Sequence, residues 1–186
     1  MSEPPGFVFV TGNRHKAAEA RRIVGPDLAI ESIELTEIQS LDPLEVLRAK
    51  AEAAWRQLGR ALVVEETSLE LDALGGFPGP LVRWMLEAVG PAGIARCAAG
   101  LGDNRAVARC LVLFVDGRRE IVGEGVERGR LVLPPRGGAG FGWDVVFSPA
   151  GDERTYAELG APEKDARGHR GRAWRDLLDK LRAAAQ

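Results

Sequence analysis

The amino-acid sequence predicts an α/β domain in which helices flank a central mixed β-sheet. Phe7–Val10 is an apolar run that stops at a polar turn, and a charged, alanine-rich run of helical character follows. Ala61–Val64 predicts a further buried strand, and apolar residues alternate over 106–115 and resume after Asp116-Gly117, as in a β-hairpin. Because strands joined by a hairpin are antiparallel, a sheet that also contains strand–turn–helix units should be mixed.

Length, composition and charge limit the class of protein. A chain of 186 residues with 45% hydrophobic residues suits a single domain over residues 1–186, and this domain could consist of two lobes. The formal net charge of −2, from 25 basic and 27 acidic residues, gives no general attraction to nucleic acid or to an anionic membrane. We therefore expect neither partner, and any anion site must be local.

The cysteines and the chain ends point to a cytoplasmic protein. Cys97 and Cys110 form no disulfide framework or zinc motif, and we expect both to be small core residues. Met1–Pro5 lacks a basic segment followed by an apolar run, and no apolar stretch reaches transmembrane length. Ala183–Gln186 is typical of a fraying tail.

The turn after the first strand is a candidate anion site. Gly12 accepts backbone angles that other residues avoid, and Asn13 is a good helix N-cap, so the positive end of the helix should face outward. Lys16 follows one turn later and could fold back toward the same anion. An ordinary strand–helix loop with a solvated lysine is the alternative.

A strand and a helix follow the predicted end of the first helix at Gly25-Pro26. Alternating apolar residues over 28–35 predict a second strand. Asp42 and the proline after it predict a helix that runs to Gly59, with Lys50 beside its apolar stripe. Asp42 would then cap the helix or face a cleft, and Lys50 would reach water or lean over that cleft.

Adjacent carboxylates follow the buried strand Ala61–Val64. We expect this strand to end at Glu65-Glu66-Thr67-Ser68, where ligands gather in open α/β sheets. Successive side chains on a strand point to opposite faces, so only one of Glu65 and Glu66 should face a cleft easily. A solvated strand end is the alternative.

The remaining elements combine a shaped loop, helices and short strands. Gly75–Pro80 is rich in turn formers and precedes a broad apolar helix over 81–89, which would be core or a self-association surface. A short helix should span Pro91–Ala99. Strands are expected near 131–133 and 145–147, and a closing amphipathic helix carries apolar residues from Trp174 to Leu181.

The order of these motifs resembles the inosine triphosphate pyrophosphatase family, from residue 7 to about residue 180. The motifs are Thr11-Gly12-Asn13-Arg14-His15-Lys16, Val64–Leu69, Ala73–Pro80, Phe141-Gly142-Trp143-Asp144, Thr155–Glu158, and Glu163-Lys164 through His169-Arg170. Several motifs in one order are more specific than any one of them alone.

The resemblance implies a Mg²⁺-dependent hydrolase, with Mn²⁺ as an alternative metal. It would convert ITP, dITP and XTP to the monophosphate and pyrophosphate and so clear deaminated purines from the nucleotide pool. The resemblance also implies a homodimer whose chain folds as two lobes around the mixed sheet. Asp42 and Glu66 would hold the metal, and Glu66, Lys16 and Lys50 would be catalytic.

The resemblance divides the substrate between two groups of residues. The phosphates would lie on Thr11, Gly12, Asn13, Arg14, His15 and Lys16, with Lys50, Glu66, Thr67 and Arg83 nearby. The base would be read by Phe141, Gly142, Trp143, Asp144, Lys164, His169 and Arg170. Hypoxanthine and xanthine carry an oxygen where adenine carries an amino group, so donors from His169 or Arg170 would favour them.

Two positions depart from the family pattern. Glu66 stands where Asp is usual, and its extra methylene shifts the carboxylate by about 1.5 Å. Gly168 stands where Ser is usual, which removes a hydroxyl donor. These departures leave two alternatives open: a purine-nucleotide-binding protein with weakened turnover, and a pyrophosphatase for another modified nucleotide.

Overall fold

A computed structural model describes residues 6–184, so Met1–Pro5 and the last two residues of the predicted fraying tail lie outside the described residues. The strands are β1 (Val8–Val10), β2 (Ala29–Glu31), β3 (Leu62–Leu71), β4 (Pro78–Gly79), β5 (Arg105–Val115), β6 (Glu120–Leu131) and β7 (Phe147–Pro149). The helices are α1 (Arg14–Val24), α2 (Pro43–Leu58), α3 (Val82–Gly100), α4 (Ala161–Arg167) and α5 (His169–Ala183).

The strands form one mixed sheet, as predicted. Their order is β2-β1-β3-β5-β6-β7, with β4 paired to β3 off this path. β1 is parallel to both β2 and β3, whereas the remaining pairs are antiparallel. The helices flank this sheet, which confirms the predicted α/β class; the division into two lobes stays a prediction.

Each face of the sheet is buried by different helices. On one face, Leu47, Ala51 and Ala54 of α2 pack against apolar residues of β1 and β3. On the other face, Trp174 and Leu177 of α5 pack against Phe9, Val63 and Val112 among others. A third apolar cluster lies under α3, where Ile94 and Ala98 meet residues of β3, β5 and β7. Among the helices of residues 6–184, none has the length and apolar character needed to cross a lipid bilayer.

β3 is longer than its apolar run suggests, and this changes the setting of the acidic pair. The prediction that the strand ends at Glu65 is wrong, because β3 pairs with β5 without interruption from Leu62 to Leu71. Glu65 and Glu66 therefore lie inside a strand. On the other edge of β3, however, only Leu62 and Val63 pair with β1, and only Leu69 and Glu70 pair with β4. The described structure thus leaves the β1 edge of residues 64–68 without a strand partner.

Other boundaries also differ from expectation. The second strand is only Ala29–Glu31, and β6 is one continuous strand because all its residues from Glu120 to Arg130 pair with β5. Cys110 is buried as expected, whereas Cys97 is exposed on α3, so the core prediction for Cys97 is wrong. The two helices predicted on either side of Gly90 are confirmed, since Gly90 breaks α3 with a φ of 65°.

Glycines on β6 let α5 approach the sheet closely. A Cβ atom on Gly125 would lie 1.9 Å from the His169 carbonyl oxygen and 2.5 Å from the Ala173 nitrogen. Gly123 makes a similar approach to the Ala173 carbonyl oxygen. Because these neighbours are backbone atoms, α5 has to move away if either position gains a side chain.

We expect Gly125→Ala to lower the free energy of unfolding by about 2–3 kcal/mol, because the methyl group overpacks the α5–β6 contact. Urea denaturation followed by circular dichroism measures this change. Gly138→Ala is the matched control, since Gly138 has nothing within 4 Å of its Cβ position, and its effect should stay within about 0.5 kcal/mol. Equal stability of the two variants would contradict the close packing.

Candidate active site

A cleft of about 990 Å³ opens along the unpaired edge of β3. The turn before α1 forms one wall, and the start of α3 with residues 141–143 forms another. Charged side chains of both signs face it: Arg14, Lys16, Lys50, Arg83 and Arg170, and Glu37, Glu65, Glu66 and Glu87. The cleft therefore exists because β1 stops after Val10 and leaves the middle of β3 open.

The N-terminus of α1 is capped as predicted. The Asn13 side-chain oxygen accepts hydrogen bonds from the backbone N–H groups of His15, at 2.9 Å, and of Lys16, at 3.2 Å. The Thr11 hydroxyl accepts another from the Asn13 N–H at 3.1 Å. The cap holds the positive end of α1 at the cleft, where an anion is favoured.

Lys50 joins two carboxylates inside the cleft. Its Nζ lies 2.7 Å from Glu66 Oε2 and 2.9 Å from Glu37 Oε1. Burial lowers the pKa of Lys50, but the two carboxylates outweigh burial, so the pKa lies above its usual value. The Lys50 ammonium therefore stays charged and balances the negative charges of Glu37 and Glu66.

Glu65 and Glu66 have partners on opposite faces of β3, Arg170 of α5 and Lys50 of α2, yet both line the cleft, so the expectation that only one of them would face it is wrong. The Glu65 carboxylate accepts hydrogen bonds from Arg170 Nε at 3.0 Å and from the Thr67 hydroxyl at 3.0 Å, and Lys16 Nζ lies 3.3 Å away. Burial raises the pKa of Glu65, but Arg170 and Lys16 outweigh burial and hold the pKa at about 2. Glu65 is thus a permanent anion that fixes the positions of two cleft cations.

A second buried ion cluster lies next to the one formed by Glu65, Arg170 and Lys16. Lys164 Nζ contacts Asp144 Oδ2 at 2.6 Å and Glu19 Oε1 at 2.9 Å, and Glu19 also accepts from Arg170. Burial raises the pKa of Asp144 although Lys164 opposes it. Because Arg170 contacts both Glu19 and Glu65, the two clusters form one connected network.

Two aromatic rings stack on His169: that of Trp143, which is predicted to read the base, and that of Tyr156, which is not among the predicted site residues. The ring centroids of Trp143 and Tyr156 lie 6.3 and 5.7 Å from that of His169. Within the described residues, both ring nitrogens of His169 and the indole nitrogen of Trp143 are buried without a hydrogen-bond partner. Burial, with Arg170 and Lys164 adding to it, holds the pKa of His169 well below its usual value, so its imidazole is neutral.

Most of the predicted site residues meet in the cleft. Those that line it are Thr11, Gly12, Asn13, Arg14, Lys16, Lys50, Glu66, Thr67, Arg83, Phe141, Gly142, Trp143 and Arg170. Five others do not line it in the described structure: His15, Asp42, Asp144, Lys164 and His169. Asp144 and Lys164 are paired with each other behind the wall, and His169 lies beside Trp143.

Asp42 caps a helix and does not line the cleft in the described residues, and its role as a metal ligand stays a prediction. Its Oδ1 accepts the backbone N–H of Leu44 at 2.8 Å, so this carboxylate caps α2. Glu37 instead lines the cleft, and it shares the Lys50 ammonium with Glu66. The geometry therefore favours Glu37 over Asp42 as the partner of Glu66.

The donors in the cleft fit a magnesium ion. Mg²⁺ binds oxygen ligands, keeps several waters and commonly needs only one or two carboxylates together with substrate phosphates. Glu37 and Glu66 supply two such carboxylates, and their contact with one ammonium shows that they reach a common cation. A cage of three or more His, Cys, Asp or Glu side chains is not found in residues 6–184, and this mode of binding does not require one.

Two residues of the site, Glu37 and Glu19, were not found from the sequence, and a third, Glu65, was found without a separate role. Glu37 lies in a segment without helix or strand, so no periodicity marked it. Glu19 looks like a solvated residue of a charged helix, yet it is only 6% exposed. Its spacing from the apolar Ala20 and Ile23 was the available signal, because it puts Glu19 near the buried side of α1. Glu65 was noticed only as one member of an acidic pair.

Comparisons with known proteins identify the family of the chain. The model of the Ham1 family matches residues 7–180. A protein from Schizosaccharomyces pombe named inosine triphosphate pyrophosphatase is 37% identical over 179 residues, with 94% of each chain covered. A protein of the same name from Puccinia graminis f. sp. tritici is 36% identical over 187 residues, which cover 95% of this chain and 94% of the relative.

Solved structures share the fold. A HAM1 protein from Coxiella burnetii has a TM-score of 0.81 at 26% identity, covering 95% of this chain and 98% of its own. A structure from Mycobacterium abscessus titled nucleoside-triphosphatase / dITP/XTP pyrophosphatase has a TM-score of 0.72 at 30% identity, covering 92% and 98%. The family match, the relatives and these folds lead to one conclusion: the chain belongs to the Ham1 family.

Proposed function

We propose that this protein is a Mg²⁺-dependent nucleoside triphosphate pyrophosphatase that hydrolyses ITP, dITP and XTP to the monophosphate and pyrophosphate. Such an enzyme removes deaminated purines from the nucleotide pool. The observation that carries the proposal is the Glu37–Lys50–Glu66 group, which faces the same cleft as the N-terminus of α1 in a Ham1-family chain. The names of the fungal relatives support this reaction class.

The phosphate end of the cleft suits attack by water at the α-phosphorus. This attack breaks the α–β phosphoanhydride bond and builds negative charge on phosphoryl oxygens. Lys16 and Lys50 supply positive charge, and the start of α1 adds its dipole. Glu66 is the carboxylate that would orient the attacking water or accept its proton.

A bound Mg²⁺ would add to the positive charge that the lysines supply at the phosphate end of the cleft. Glu37 and Glu66 would hold Mg²⁺, which when bound supplies positive charge to the phosphoryl oxygens. Glu66 is longer than the Asp that is usual at this position, and its oxygen already contacts Lys50 at 2.7 Å. The chain's own lysine thus keeps the carboxylate aimed into the cleft.

The base end of the cleft suits a 6-oxopurine. Phe141 and Trp143 line it and offer flat apolar faces, and Arg170 offers donors. The neutral His169 behind Trp143 has one donor and one acceptor without partners in the described residues. A donor that faces the 6-amino group of adenine would stay unpaired, at a cost on the order of 1–3 kcal/mol.

We also propose that the protein works as a cytoplasmic homodimer. Phe77 and Trp84 are 44% and 51% exposed although both are large and apolar. They lie in the Gly75–Pro80 loop and at the start of α3, the surface that the sequence suggests for self-association. Light scattering of the purified protein measures its mass directly.

We expect the purified protein to release pyrophosphate from ITP and XTP in the presence of Mg²⁺, and much more slowly from dATP and dGTP. For dATP, a protein donor that faces the 6-amino group of adenine would stay unpaired. Guanine carries an oxygen at C6 as hypoxanthine does, so dGTP must be rejected at its 2-amino group. Coupled detection of pyrophosphate and chromatography of the nucleotide measure both products. Orthophosphate as the main product, or rates unaffected by EDTA, would contradict the proposal.

Glu66→Gln should lower kcat for ITP roughly a hundredfold or more, because the amide neither accepts a proton nor balances a cation. The fold should remain, since Gln can still accept the Lys50 hydrogen bond. Steady-state kinetics and circular dichroism measure the two effects. Glu70→Gln is the control on the same strand, because Glu70 pairs with Arg109 outside the cleft lining. A Glu66→Gln enzyme with near-normal kcat would remove Glu66 from the mechanism.

Glu37→Gln should raise the Mg²⁺ concentration for half-maximal activity about tenfold or more, because one of two carboxylate ligands is lost. Asp42→Asn should leave this concentration within about twofold, since Asn caps a helix as well as Asp. Magnesium titrations of the ITP rate measure both variants. The opposite order of the two effects would restore Asp42 as the metal ligand.

A further inference from the structure

The ring of His15 stacks on the ring of Phe141. Their centroids lie 5.1 Å apart and their planes differ by 15°, which is an offset parallel arrangement. His15 is the second residue of α1, directly after the turn expected to hold phosphates. Phe141 belongs to the loop before β7 that is expected to read the base. This stack joins the two parts of the candidate site.

In this stack His15 is exposed to solvent and Phe141 is half-buried. Phe141 lines the cleft, whereas His15 is absent from the described residues that line it. His15 therefore contacts Phe141 from outside the set of described residues that line the cleft. Its backbone N–H is also taken by the Asn13 cap, so this amide is already satisfied.

The Phe141 loop needs such support. Gly140 and Gly142 flank Phe141 with φ values of 77° and 62°, in the left-handed region that favours glycine. The Phe141 N–H donates to Asp144 Oδ2 at 2.8 Å, which fixes the backbone of the loop. The ring itself is held by His15 and by two cations, Lys164 Nζ at 5.1 Å and the Arg170 guanidinium at 5.4 Å from its centroid.

We propose that His15 is a positioning residue for the base rather than a phosphate ligand. It holds the Phe141 ring against the cleft so that a purine stacks on a ring that is already in place. The inference rests on the proposed function and deepens it, because it couples the phosphate turn to base recognition. Because the ring is already fixed, less conformational entropy is lost when a base stacks on it. Ligands that carry a base therefore bind more tightly.

The test compares ligands with and without a base. For His15→Ala we expect KM for ITP to rise about two- to tenfold, the size of one aromatic contact, with kcat changed less than twofold. The inhibition constant of inorganic tripolyphosphate, which has no base, should stay within about twofold. His15→Phe should restore KM because it keeps a ring, whereas His15→Gln, which keeps a polar side chain, should resemble His15→Ala.

A double-mutant cycle completes the test. In a Phe141→Ala background, His15→Ala should change KM for ITP less than twofold, since the ring that it supports is gone. A parallel loss of tripolyphosphate inhibition, or rescue by Gln but not by Phe, would overturn the proposal and make His15 a phosphate ligand. An unchanged KM in His15→Ala would also overturn it. A wild-type protein that neither hydrolyses nor binds ITP would overturn the proposed function along with it.

Discussion

The buried carboxylate of Glu65 is the constraint on which the site depends. It lies in β3, and its contacts with Lys16 of α1 and Arg170 of α5 tie together elements that are far apart in the chain. Removing one partner of a buried ion pair typically costs about 3–5 kcal/mol, because the other charge is left without compensation. The positions of α1 and α5 at the cleft are therefore fixed by charge as well as by apolar packing.

The same network sets the electrostatics of the cleft before any ligand arrives. Arg170 is shared by Glu65 and Glu19, and Glu19 shares Lys164 with Asp144. Each buried charge thus has an opposite partner, which is the condition for burial without a large penalty. Groups held in this way do not need to reorganise when charge develops on a phosphate, and such preorganisation is a major source of catalytic power.

Local signals in the sequence predicted much of the fold but less of the site. The caps at Asn13 and Asp42 and the break at Gly90 follow from residue chemistry over a few positions, and the structure has them. The length of β3 depends on pairing with β5, which lies some forty residues away in the chain and leaves no local mark. Glu37 could not be found for a similar reason, since its role depends on Lys50 and Glu66 from other elements.

Lys50 gives the carboxylates of Glu37 and Glu66 a positively charged partner that belongs to the chain itself. In small zinc domains the metal holds the fold together, so that chelation unfolds the protein. Here the ammonium already compensates Glu37 and Glu66, and the surrounding layers are closed by apolar packing. Binding of the proposed divalent ion would therefore be separated from folding, and the scaffold would keep its shape whether or not the ion is bound.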